Sequence, residues 1–414
     1  MKIVHHSIHI LRDANLKPPS MRQTSKKRLL VFTSTFPRWH NDPKPSFVFE
    51  LCRRLSREFD VYVLAPQYPG AMKEENWEGI KIRRYAYFIK KYQKMTGLGG
   101  ILSALTDNKW FYFQIPFLFF WGWIALIQQV SKIKPHIIHA HWILPQGFIA
   151  YLTYQISKTP YIVTSHGSDI FGLSGFHGLK RLCLRRARNI TVVSDALKER
   201  IKKDIDPSLN PEVIPMGVDT AIFMPCEKNP VIIRKYNIQG PMLLFVGRLA
   251  REKGIDYLIR AFERVVRHLP KAKLLIVGGG DQRDRLGKLS RNLRLQNNVH
   301  FAGIIPNREL PRFYATADVF VCPSLREGSP VSYIESLACG TPIIAGDLPV
   351  SREIVGSNNK RGAIVNQMDP VDISEKILSI LNRQEIPVNE LYDFVRVNYD
   401  WNIIAGKLSK LLAA

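Results

Sequence analysis

With 414 residues the chain is too long for one ordinary hydrophobic core, and length alone favours two or three domains. A hydrophobic content of 46% with 23% charged residues excludes a disordered or fibrous protein. The formal net charge of +24 is uneven: residues 1–215 hold 32 Lys and Arg against 15 Asp and Glu, residues 216–414 hold 27 against 20, so the first half is expected to meet something anionic, whether nucleic acid, a membrane surface or a phosphorylated acceptor.

Residues 1–26 contain no continuous apolar stretch, and Lys17, Arg22 and Lys26 break any reading as a signal peptide. They are expected to form a flexible tail, in which His5, His6 and His9 have no fixed geometry for a metal. Arg28–Ser34 is a short apolar run that predicts a strand, and Phe47–Phe59 has helical periodicity. Val61–Ala65, Ile137–His141, Tyr161–Ser165 and Ile190–Ser194 predict further strands, each followed by a helical stretch. Continuous Val/Ile runs of this kind belong to strands buried on both faces, hence to a parallel sheet with crossover helices. Prolines 207, 211, 215, 225 and 230 then punctuate a join.

The pattern restarts with Met242–Gly247, Lys273–Gly278, Val299–Ala302, Val319–Pro323 and Pro342–Ala345, with helices such as Ile255–Leu269 between them. The expected fold is therefore α/β, with two Rossmann-like doubly wound domains facing a cleft: a first domain over 27–222, a second over 223–388, and a closing helical segment over 389–414. The five cysteines are scattered, with no CxxC pair, which predicts a reduced, cytoplasmic chain without a zinc site.

Trp110–Ile127 has no charge and is nearly long enough to span a bilayer. Gln114, Pro116 and Gly122 argue against that, as does its place directly before Lys132, Lys134 and a strand, where a crossover helix belongs. Two readings stay open: a half-buried helix with aromatic side chains at a lipid interface, and an ordinary core helix.

The strongest chemical signal is the run from Glu327 to Glu335, after a predicted strand. Ser329 is expected to cap a helix, with Pro330 as its first residue. The N–H groups of Val331 and Ser332 would then point out of the helix start and suit a phosphate. Glu327 and Glu335 would repel phosphate, but they can accept hydrogen bonds from sugar and ribose hydroxyls. Gly247–Arg248 and Lys253–Gly254 lie where the first strand of the second domain turns into a helix, which is the phosphate end of a Rossmann unit. Arg can fork two phosphate oxygens and Lys supplies a point charge, and both side chains are expected to face the cleft. Gly278–Gly280 reads as a tight turn there. In the first domain His166 follows a strand end, and His139 and His141 share one face of another strand with no carboxylate or Cys beside them. Asp204–Ile205–Asp206 is a DxD triplet in a setting that suggests a solvated turn rather than a metal site.

These motifs together resemble the GT-B glycosyltransferases of family 4, from about Arg28 onward. The resemblance is carried by Glu327 and Glu335 with seven residues between them, by residues 243–259, by 327–345 and by 213–223. It implies a retaining transfer of a hexose-type sugar from a nucleotide diphosphate sugar, with no other cofactor and no metal. Arg248 and Lys253 would hold the diphosphate, Glu327 the donor sugar and Glu335 the ribose. His166 would reach the sugar from the acceptor side. Gly247, Gly328, Ser329, Val331 and Ser332 would complete the donor site, and a helix near Trp401–Leu412 would cross back to the first domain. The family's Gly-Gly loop is replaced by residues 37–46, where no glycine occurs and Pro45–Ser46 is the candidate substitute. Charge and aromatic content suggest an acceptor at the inner face of the plasma membrane, such as a polyprenyl-diphosphate-linked saccharide in surface polysaccharide synthesis, with the protein held peripherally on anionic lipid. A sugar-nucleotide epimerase of the same fold and a basic nucleic-acid-binding protein are the alternatives. No RNA-binding motif or helix-turn-helix pattern supports the latter.

Overall fold

The computed structural model describes residues 26–40, 42, 47–97, 100–101, 104–105, 108–173, 175–383 and 386–414. Residues 1–25 of the expected tail, with its histidines, and Pro45–Ser46 lie outside the described residues.

The first sheet comprises β1 (Lys27–Phe32), β2 (Phe59–Pro66), β3 (Glu74–Trp77), β4 (Ile80–Tyr85), β5 (Ile137–His141), β6 (Tyr161–Ser165), β7 (Asn189–Val192) and β8 (Glu212–Val213). Its order is β3-β4-β2-β1-β5-β6-β7-β8, and every pairing is parallel except β3 with β4. The second sheet comprises β9 (Met242–Val246), β10 (Lys273–Val277), β11 (Val299–Gly303), β12 (Val319–Cys322), β13 (Ile343–Gly346) and β14 (Gly362–Val365). Its order, β11-β10-β9-β12-β13-β14, is wholly parallel. Both sheets reverse direction of growth beside their first strand, between β1 and β5 and between β9 and β12. Crevices for ligands open at the carboxyl ends of strands at such points.

Continuous apolar runs became central strands, as expected. The structure differs at the less apolar elements. The helix predicted to reach Phe59 ends at Leu55, and Phe59 already begins β2. The basic, alternating β4 and the short β3, β8 and β14 lack the long Val/Ile signature and were not anticipated.

Helix Ile115–Ile133 is the crossover from β4 to β5. Leu118, Gly122, Leu126, Val130 and Ile133 form one buried stripe, three or four residues apart, against β1, β2, β4 and the helix Phe148–Ser157. That packing makes the helix part of the sheet's covering layer, while its opposite face is exposed. Lys109–Ile133 is nonetheless long and apolar enough, by length and composition, to cross a membrane.

Two hydrophobic cores divide between Met216 and Val218. The first core also contains Trp401, Ile404, Ala405, Leu408 and Leu412 from the helix Trp401–Ala413, which returns to pack on helix Phe47–Leu55. The return is pinned at the domain join. Val218 N–H donates to Tyr399 O (2.9 Å) and Trp401 N–H to Val218 O (3.0 Å), while the Asp400 carboxylate accepts from Thr220 Oγ1 at 2.5 Å. Asp219, between them, is held by Arg53 and Arg54 of the first domain at 3.2 and 2.6 Å. Replacing the buried Trp401 by Ala should therefore cost about 3–5 kcal/mol, read from urea denaturation. A loss near zero would show that the returning helix is not part of the first domain's core.

Candidate active site

In the second domain, β9 ends at Val246 and the chain turns through Gly247 and Arg248. Gly247 N–H donates to Val277 O and Leu249 N–H to Gly279 O (3.0 and 2.9 Å), so the triple-glycine turn after β10 lies directly against this loop. Arg248 is exposed and pairs with Glu252. Lys253 takes a different path. Gly254 has φ +63°, and a Cβ there would sit 2.2 Å from the Pro323 carbonyl oxygen, so only glycine lets this turn press on the end of β12. Leu325 N–H donates to Glu252 O at 2.7 Å and locks the two loops together. Lys253 Nζ consequently lies 2.5 Å from Glu327 Oε1, an oxygen that also accepts from Ser324 Oγ at 2.7 Å. Burial works to lower the Lys253 pKa, but the negative charge of Glu327 and its hydrogen bond outweigh it, and the ammonium is held above its ordinary value. Both cations expected to face the cleft are thus paired with carboxylates, Arg248 with Glu252 and Lys253 with Glu327.

The helix expected after Glu327 spans Val331–Ala338. It starts one residue later than predicted, with Pro330 as the cap residue and no side-chain cap from Ser329. Pro330 has ψ 86°, outside the helical range, which moves the first turn onward. The Ser329 carbonyl accepts from Val331 N–H at 3.0 Å, so that N–H, predicted to point outward unpaired, is used locally. Ser332 N–H sits in the first turn, where helix geometry supplies no intrahelical partner. Glu335 is buried one turn on, accepting from Tyr314 Oη (2.9 Å) and Asn307 Nδ2 (3.2 Å). Burial raises its pKa to about 7, and the two hydrogen bonds only partly oppose this.

In the first domain, β5 and β6 end side by side at His141 and Ser165. His141 Nδ1 and His166 Nε2 are 2.9 Å apart with near-parallel rings, and His139 Nε2 is 2.7 Å from Thr164 Oγ1. Burial lowers the pKa of His139 to about 3 and that of His141 well below normal, with neighbouring histidines adding to the latter. Desolvation and then His139 lower His166 as well. All three imidazoles are thus neutral near pH 7, and His166, with Nε2 engaged by His141, offers its other ring nitrogen rather than a charge. Its ring is flanked by Phe47 and Trp142, with centroids 5.0 and 4.8 Å away.

Asp169 is a residue that sequence reasoning passed over. Its buried carboxylate accepts from Ser165 Oγ (2.8 Å), Gly167 N–H (3.2 Å) and Ile143 N–H (2.7 Å), tying the His166 turn to the end of β5. Its position three residues after His166 was the available signal.

The two halves meet at Gly328. A Cβ on Gly328 would lie 3.0 Å from the His166 carbonyl oxygen, and one on Gly167 would lie 3.3 Å from Gly328 Cα. The turns bearing His166 and Glu327 therefore touch backbone to backbone. Asp206, expected in a solvated turn, is buried: it accepts from Arg181, Arg185 and Ser208 and ties a helix end, because two guanidinium groups neutralise it there. Among the described residues no three His, Cys, Asp or Glu side chains are grouped as a metal site requires.

Two Rossmann-like domains with facing strand ends, a cationic turn and a pair of glutamates with seven residues between them form the arrangement of the GT-B class. The profile of glycosyl transferases group 1 matches residues 229–392, and that of glycosyltransferase family 4 matches residues 46–222. The chain is 31% identical to an uncharacterized glycosyltransferase of Methanocaldococcus jannaschii over 80% of this chain and 88% of that one. It is 28% identical to a GDP-mannose-dependent α-(1-6)-phosphatidylinositol monomannoside mannosyltransferase of Mycobacterium tuberculosis, over 93% and 98%. Its fold matches sucrose-phosphate synthase from Thermosynechococcus elongatus with a TM-score of 0.73 at 20% identity, covering 93% and 98%. The chain belongs to the GT-B glycosyltransferases of family 4, and is a transferase rather than an epimerase.

Glu335 has a consequence for stability. Between about pH 4.5 and 7 the folded chain retains a proton that the unfolded chain has released. Stability therefore falls as pH rises through that window, by at most about 1.4 kcal/mol per unit. Glu335→Gln should remove this fall in thermal melts across the window. A variant whose melting temperature falls as steeply as the parent's would assign the effect to another group.

Proposed function

We propose that this chain is a retaining, metal-independent hexosyltransferase, whose co-substrate is a nucleotide diphosphate sugar and whose acceptor is a lipid-linked saccharide. The observation that carries the reading is the junction at Gly328, where a cation–carboxylate pair of one domain meets a neutral histidine turn of the other. In this reading Arg248 and Lys253 bind the diphosphate, with N–H groups around Gly247, Gly328, Ser329 and Ser332 nearby. Glu327 accepts from sugar hydroxyls, Glu335 from the ribose, and His166 contacts the sugar from the acceptor side. Lys253 would then be shared between Glu327 and the diphosphate.

The chemistry follows from charge. As the bond from the anomeric carbon to the diphosphate oxygen breaks, its electron pair stays on the diphosphate, and fixed cations stabilise that developing charge. The acceptor oxygen bonds to the same carbon from the side the diphosphate leaves, and its proton passes to the departing phosphate. Asp169, the carboxylate that follows His166, is engaged by three hydrogen bonds, which supports a route without a carboxylate nucleophile. The mycobacterial relative is named for action on a phosphatidylinositol mannoside. We accordingly place this chain peripherally on the cytoplasmic face of the plasma membrane, with a polyprenyl-diphosphate-linked saccharide as the leading acceptor.

Arg248→Ala should lower activity or donor affinity about 10–150-fold, the loss of a charge-assisted hydrogen bond of about 1.5–3 kcal/mol, with little effect on melting. Lys253→Met should lose as much activity but also destabilise the fold, because Glu327 loses its partner. Full activity in either variant, measured with radiolabelled nucleotide sugars, would remove the diphosphate assignment. Activity should survive saturating EDTA; loss with rescue by Mn²⁺ or Mg²⁺ would overturn the metal-independent mechanism.

A further inference from the structure

Resting on the lipid-linked acceptor reading, we infer that the exposed aromatic and lysine side chains of residues 89–94 and 109–121 form a docking surface for an anionic bilayer, placed so that the acceptor enters the cleft from the membrane side. Ile89, Trp110, Tyr112, Phe113, Phe120 and Trp121 are all exposed, the last five at 46–61%. Large side chains are scattered singly on ordinary surfaces, whereas here Trp110 and Phe113 share one ring cluster and Phe120 packs edge-on against Trp121 at 5.3 Å. Phe88 touches the rings of Trp110, Phe113 and Phe117, and Tyr92 touches Trp110, with centroids 5.3–6.2 Å apart.

The inner face of helix Ile115–Ile133 is occupied by the sheet, so the outward aromatic face is not needed for the fold. Nor can the helix span a bilayer without stripping its buried stripe from β1, β2 and β4.

Charge selects the occupant. Residues 86–131 contain four lysines (90, 91, 94 and 109), one Asp, and no Arg or Glu. All four lysines are exposed beside the aromatic plate. A second copy of the same face would set lysines against lysines, whereas anionic headgroups would neutralise them while Trp and Tyr rings sit at the lipid–water boundary.

Topology then sets the orientation. The chain leaves parallel strand β4 at Tyr85, at the same end of the sheet as His141 and Ser165. Helix Ile115–Ile133 must run back to reach the start of β5, so its first turns, with Phe117, Phe120 and Trp121, stay at that carboxyl end. The aromatic plate and the His166 turn therefore lie at one end of the first domain. A bilayer bound there presents its headgroups toward the cleft rather than toward the far end.

Co-sedimentation of the full chain with vesicles tests this, using phosphatidylcholine alone and phosphatidylcholine mixed with phosphatidylglycerol. Binding is expected only with the anionic lipid and should be released by high salt. Each Lys→Gln change at 90, 91, 94 and 109 should lower partitioning about fivefold. Combined F113S, F120S and W121S should abolish it, with melting unchanged and transfer to a water-soluble acceptor sugar retained. Equal binding to neutral vesicles, or unaltered partitioning by both variant sets, would overturn the proposal. So would a dimer in light scattering that dissociates on the aromatic changes without any vesicle binding. Vesicle binding that needs these residues, without transfer to any lipid-linked acceptor, would support the surface and overturn the acceptor reading instead.

Discussion

Every residue of Met242–Val246, Ile137–His141 and Tyr161–Ser165 is buried, as is expected of strands covered by helices on both faces. Such strands leave polar groups little access to solvent along their length, so chemistry is displaced to their ends. Two parallel sheets with reversed growth beside β1 and β9 then bring those ends to facing crevices, and the remaining geometry adjusts to that. The Lys253 turn can reach Glu327 because glycine at 254 lets it press on the end of β12. The His166 turn holds its place because Asp169 accepts from Gly167 N–H in the turn and from Ile143 N–H beyond β5.

The site is electrostatically uneven across the junction. On the second-domain side, charges are paired: Arg248 with Glu252, Lys253 with Glu327. On the first-domain side, burial keeps His139, His141 and His166 uncharged. A leaving group that accumulates negative charge would find cations on one side and a neutral hydrogen-bonding ring on the other, which suits glycosyl transfer better than proton abstraction by a strong base.

How much of this was legible in the sequence depends on what each signal measures. Continuous apolar runs report burial on two faces, so β1, β5, β6, β9, β10 and β12 were readable directly. β4, with Lys81, Arg83 and Arg84 among its six residues, is hidden from that measure although it pairs along β2. The motif from Glu327 to Glu335 located the helix but not its first residue, because the backbone at Pro330 decides the start. Residue type marked Arg248 and Lys253 as cations, yet their partners depend on which loops touch. Asp206 looked solvated because the two arginines that bury it lie more than twenty residues away in the chain.

The helix Trp401–Ala413 completes the core of a domain whose other residues end at Met216. During synthesis, the first domain therefore emerges long before its last packing partner, and must wait through the whole of the second domain with an apolar groove uncovered. Domains generally fold as units in the order they are made. Here the order is broken: the second domain can close independently, while the first is finished last. Loss of residues 401–414 would leave the second core intact and the first one open, so the lesion falls in the domain farthest from them along the chain.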